Sequence, residues 1–150
     1  MGGAWERSIA TYRSVVSYVL QLRNWLDNSV GGVMWFAFHA AHTSFYVPFP
    51  AGMPAKFVPV SYTNNAMEQL GRGESAWQAA RVVFNIAQLK FSFAIQDIVA
   101  AQTALEAAGS RIQADVDSRY RDERDLEWAC EEFAAHAAAA VRLWWKLRSL

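Results

Sequence analysis

The side chains best equipped for chemistry are few and scattered. His39 and His42 stand as HAAH, a spacing at which two imidazoles can reach one metal ion. No Asp, Glu or Cys lies close in sequence to complete a ligand set, so the pair reads as polar residues of a hairpin turn and no metal site is expected. Cys130 falls on an apolar helical stripe, where burial raises a thiol's pKa and leaves it inert. His136, inside AAHAAAA, reads as a partly buried helix residue, and Asp122, Glu123 and Asp125 as a solvated acidic cluster. Gly31-Gly32 lacks the following Gly and Lys of a phosphate loop and reads as a tight turn. Trp144, Trp145, Lys146 and Arg148 suit either a membrane surface or a helix with indoles inward and basic groups outward; the second is the expectation. No constellation among these residues runs a reaction alone, and no cofactor is implied.

Composition bounds the partners. The chain has 150 residues, one domain's worth or a piece of a larger domain. With 53% hydrophobic residues and seven Trp it has ample material for a packed core. Fourteen Lys+Arg balance fourteen Asp+Glu, so no global field draws it to nucleic acid. The single cysteine excludes an internal disulfide. Together with an opening MGGAWERS that lacks the pattern of a signal peptide, this leads to the expectation of a cytoplasmic chain. Apolar runs are interrupted well short of the ~20 residues a spanning helix requires, so no membrane partner is expected.

The elements that must position these residues divide the chain in two. Residues 1–62 are strand-rich, 63–74 loop-like and 75–150 helical, all within one partial domain. Strands are expected at Ser14 to Leu22, Val33 to Phe38 and Ser44 to Phe49, joined by connections short enough for an antiparallel meander. Pro48 cannot donate to a ladder and belongs at a strand end or edge. From Trp77 the period switches: Ala80, Phe84, Ala87, Phe91, Ala94, Ile98, Ala101 and Leu105 form one stripe of a long amphipathic helix. Ser75 and Gln78 make a capping box at its start, and Gly109 is a plausible stop. A second stripe runs Leu126, Cys130, Phe133, Ala137, Ala140, Trp144, Leu147. Between them DVDSRYRDERD reads as a solvated helix end or connector. The expected class is α+β: about three antiparallel strands, then two long helices. Val33 to Phe38 carries no charge on either face, so the helices cover one face and something else must cover the other.

Several motifs now fall in order. Gln21, Arg23, Trp25 and Leu26 end the first strand; Gly31, Gly32, Val33 and Trp35 open the second; Thr43, Ser44, Tyr46, Val47 and Pro48 follow, then Ser75-Ala-Trp77 and NIAQLKFSFAIQDI. Over most of residues 5–107 this resembles the carboxyl-terminal half of the C69 dipeptidase family. The resemblance implies the carboxyl-terminal part of an N-terminal-nucleophile hydrolase, a sandwich of two sheets between helical layers. Its nucleophile is a processed amino-terminal Cys whose own amine acts as base. It further implies hydrolysis of dipeptides or small amides without a metal.

This chain has no such Cys near its start, and His42 and Pro50 stand where the family often has an acid and an aromatic. The candidate substrate-binding residues carried by the resemblance are Arg13, Arg7, Thr43, Ser44, Gln21 and Arg23. The two arginines are expected on the strand opening the match, suited to a peptide carboxylate. Two functions follow as expectations. One is a dipeptidase portion completed by the missing amino-terminal half, taking small peptides once complete. The other is a non-catalytic module that forms a homo-oligomer through its uncovered face.

Overall fold

The computed structural model describes residues 10–63 and 75–149. Three strands, β1 (Val16–Leu22), β2 (Gly32–Phe38) and β3 (Val47–Pro50), form an antiparallel meander with β2 in the centre. The fold is α+β, as the sequence implies. Between β1 and β2 lies one helical turn, α1 (Asn28–Gly31), in place of the expected tight turn. Asp27 caps it by accepting from the Ser29 amide (2.9 Å). Gly31 is required here, since a Cβ would come within 2.8 Å of the Arg23 carbonyl oxygen.

Hydrogen-bond alternation explains the prolines. Gly32 accepts from the Ala51 amide (2.8 Å), and β2 pairs Val33 with Pro50 and Trp35 with Pro48. Pro48 and Pro50 therefore occupy the positions whose nitrogens point away from β2, where a missing N–H costs the ladder nothing. The expectation for Pro48 holds: β3 is an edge strand.

Four helices follow: α2 (Val60–Thr63), α3 (Ala76–Ala87), α4 (Phe91–Glu123) and α5 (Leu126–Leu147). Ser75 caps α3, accepting from the Gln78 amide (3.3 Å). The stripe read from Trp77 to Leu105 is the buried one at Ala80, Phe84, Ala87, Ala94, Ile98 and Leu105. It is carried by two helices, because the chain breaks at Gln88–Lys90, where neither Gly nor Pro announces it. Gly109 does not stop α4; it lies inside the helix, where a Cβ would meet His136 Nε2 at 2.9 Å and Pro48 Cδ at 3.1 Å. The glycine lets α4, α5 and β3 converge. DVDSRYRDERD completes α4 and ends in a left-handed turn at Arg124 (φ 55°). Asp125, read as part of a solvated cluster, instead caps α5 by accepting from the Trp128 amide (2.9 Å).

The α5 stripe is buried at Cys130, Phe133, Ala137, Ala140, Trp144 and Leu147, and Trp144 stacks flat on Phe45 (4.9 Å, 10°). One face of the sheet lies under α4. There Gln113 donates to Gln21 Oε1 (2.9 Å), which also accepts from Trp35 Nε1 (3.2 Å). The opposite face, carrying Leu20, Met34, Phe36, Phe38 and Phe49, is only partly covered: Tyr62 of α2 packs against Phe38 (5.6 Å) and Phe49 (5.1 Å). Met53 and Val58 border the rest, where an open apolar groove of about 550 Å³ remains among the described residues.

Candidate functional site

Arg7 lies outside the described residues; the other five candidates occupy three separate places. Arg13 lies in the turn before β1 and not on the strand, because β1 starts at Val16. It is exposed, donating to the Tyr12 hydroxyl (3.0 Å) and lying over that ring. Gln21 and Arg23 sit together beneath α4. Arg23 is 7% exposed and each of its three guanidinium nitrogens makes one bond: it donates to the carbonyls of Gly31 (3.3 Å) and Val30 (2.6 Å) and pairs with Asp117 of α4. A fork occupied in this way ties β1, α1 and α4 together.

Thr43 and Ser44 are buried where the chain enters β3. Thr43 donates to the Ala40 carbonyl (3.3 Å), and Gln102 of α4 donates to the Ser44 carbonyl (2.5 Å). The Ser44 hydroxyl is fully buried with no hydrogen-bond partner among the described residues. The five described residues thus converge on no single cavity. Gln21 and Arg23 meet α4 through separate partners, Gln113 and Asp117, and Thr43 and Ser44 bond Ala40 and Gln102.

The histidine pair is not a solvated turn. His39 adopts φ 62° at the exit from β2, is 6% exposed, and stacks on Phe84 (4.6 Å) beside Trp77. His42 packs edge-on to Phe84 and Phe91. Burial lowers the pKa of His39, with Arg81 and His42 adding to the shift, and burial lowers that of His42 as well. Both therefore favour the neutral ring. Phe84 and Phe91 come from helices some forty residues on, so nothing local in HAAH reveals this aromatic cradle. Among the described residues no group of three or more His, Cys, Asp or Glu could hold a metal ion.

Cys130 is fully buried, and burial pushes its thiol up, as expected for an inert cysteine. His136 is likewise buried with its pKa lowered by desolvation. The remaining feature is the groove on the open sheet face. It is walled by Leu20, Met34, Phe36, Phe38, Phe49 and Tyr62, and Tyr62 donates to the Ala137 carbonyl (3.4 Å) from a site whose burial raises its phenol pKa. Among the described residues its lining offers no carboxylate, imidazole, amine or thiol. Its chemistry is that of a desolvating apolar surface.

A three-stranded antiparallel sheet followed by long helices is the arrangement of a partial peptidase fold. The sequence matches Peptidase family C69 over residues 3–104, and the chain belongs to that family. A search of curated proteins finds no match. The family match ends inside α4; α5, which fills the core against β3 and Phe45, lies beyond it.

Proposed function

We propose that this chain is the carboxyl-terminal portion of a C69-type cysteine dipeptidase, hydrolysing dipeptides or small amides only when an amino-terminal half supplies the nucleophile. The observation that carries this reading is the open apolar face of β2 and β3 in a chain of a peptidase family. A second sheet laid over Met34, Phe36, Phe38 and Phe49 would make the β-on-β sandwich that such an enzyme needs. The nucleophile would be a Cys at the start of that half, with its own α-amine as base, and no metal takes part. Cys130 is excluded from the role by its burial on α5. The test is hydrolysis of a dipeptide panel by the purified 150-residue chain, alone and with an amino-terminal C69 half beginning in Cys. No turnover alone and turnover on mixing is the expected result; turnover by the chain alone would overturn the reading.

A second reading is a non-catalytic association module of the same fold. It is favoured by the structural engagement of Arg23 with Gly31, Val30 and Asp117 and by the lack of any exposed nucleophilic thiol among the described residues. No helix among the described residues is long and apolar enough to cross a membrane.

A further inference from the structure

The two edges of the sheet differ. At β3 the outward positions are Pro48 and Pro50, which have no N–H to offer, and α5 packs against the strand. At β1 the opposite holds. His39 donates to Val15 (2.7 Å) and Arg23 donates to Gly31 (2.9 Å), so the odd-numbered residues bond to β2. By alternation, Val16, Tyr18, Leu20 and Leu22 turn their N–H and C=O groups outward. Among the described residues no strand meets them. The edge Val16–Leu22 carries no charge, no Pro and no Gly, the devices by which proteins usually blunt an edge.

We propose that β1 pairs with β1 of a second copy of this chain, antiparallel and two-fold symmetric about Val19, joining two three-stranded sheets into one of six. The sequence VSYVLQL has a pattern that is symmetric about its centre: apolar, polar, apolar, Val19, apolar, polar, apolar. Among registers that bring outward groups opposite outward groups, only the one centred on Val19 overlaps all seven residues. Val16 of one protomer then lies opposite Leu22 of its partner, Tyr18 opposite Leu20, and Ser17 opposite Gln21. Apolar meets apolar and polar meets polar on every rung. No like charges oppose one another, and at each end the exposed Arg13 of one protomer is carried towards the exposed Trp25 of its partner, a cation facing an indole. A C2 interface must be self-complementary, and this edge is. The pairing uses the edge and leaves the open face free, so it stands or falls independently of the proposed peptidase role.

The test uses the 150-residue chain. Val19→Cys, in a Cys130→Ala background, places two thiols at a non-hydrogen-bonded pair whose Cα atoms are ~4.5 Å apart, within disulfide range. Mild oxidation should link this variant about tenfold or more faster than the exposed control Ser110→Cys, because the dimer presents the second thiol at high effective concentration. Equal rates would overturn the proposal. In sedimentation the unmodified chain should run at twice its 16.8 kDa mass. Leu20→Pro deletes an outward N–H and no N–H bonded to β2, and should give a monomer with unchanged far-UV circular dichroism. If Leu20→Pro loses its fold, Tyr18→Glu with Leu20→Glu sets like charges opposite each other on exposed positions and should give the folded monomer. An unmodified chain that sediments as a monomer, or a doubly substituted chain that stays dimeric, would overturn the inference.

Discussion

The guanidinium of Arg23 pairs with the carboxylate of Asp117, joining the residue just past β1 to the last third of α4 across 94 residues of sequence. Arg23 is buried and Asp117 half-buried. Burial pushes the Asp117 carboxyl up, while Arg23 pulls it back down only in part. Removing one partner leaves the other charge stranded, which costs more than the pair contributes. Arg23→Ala should therefore lower stability by about 3 kcal/mol or more, read from the urea midpoint. Replacing both, as Arg23→Met with Asp117→Leu, should recover most of that loss. Additive losses would mean that Arg23 acts mainly through its bonds to Val30 and Gly31.

Three histidines give the fold an acid limit. His39, His42 and His136 all have pKa values lowered from the ordinary 6.5, in each case chiefly by burial. The unfolded chain takes up these protons first. Their contribution is therefore complete above about pH 6.5 and is lost as pH falls towards the lowered values. Each deeply buried ring removes up to about 1.4 kcal/mol per pH unit within that window. Melting temperature should fall between pH 7 and pH 5, and His39→Gln with His136→Gln should flatten the dependence. An unchanged slope would place the acid sensitivity elsewhere.

Gly109 reverses the usual helix rule. Ala is about 1 kcal/mol better than Gly in a helix interior. Here, however, the new methyl would meet His136 at 2.9 Å and Pro48 at 3.1 Å, so α5 or β3 must move. Gly109→Ala should destabilise by about 1–3 kcal/mol in thermal or urea unfolding. Gly→Ala at a solvent-facing site would do the reverse, so the sign alone decides.

The sequence is legible where one element carries its own signal. The uncharged run Val33 to Phe38 is the central strand, Pro48 marks an edge, and the stripe from Cys130 to Leu147 is buried almost as read. It is illegible where the cause is distant. The break at Gln88–Lys90 preserves the steps of three and four, so periodicity passes straight through it. Gly109 resembles a helix stop, but what it accommodates comes from β3 and α5. The candidates Gln21 and Arg23 fall next to one another, yet their partners Gln113 and Asp117 lie on α4, and neither spacing nor residue type points to them. His39 and His42 read as turn residues because their aromatic neighbours Phe84 and Phe91 come from other helices.

The prolines of β3 also set a direction of growth. A sheet with two receptive edges can add copies without limit, the route to fibres. This one is receptive at β1 and capped at β3 by two residues that have no donor to give. Once two protomers join through β1, both free ends of the combined sheet are proline-bearing strands. Addition then stops at two: the residues of β1 make the sheet sociable on one side, and Pro48 and Pro50 make it sterile on the other.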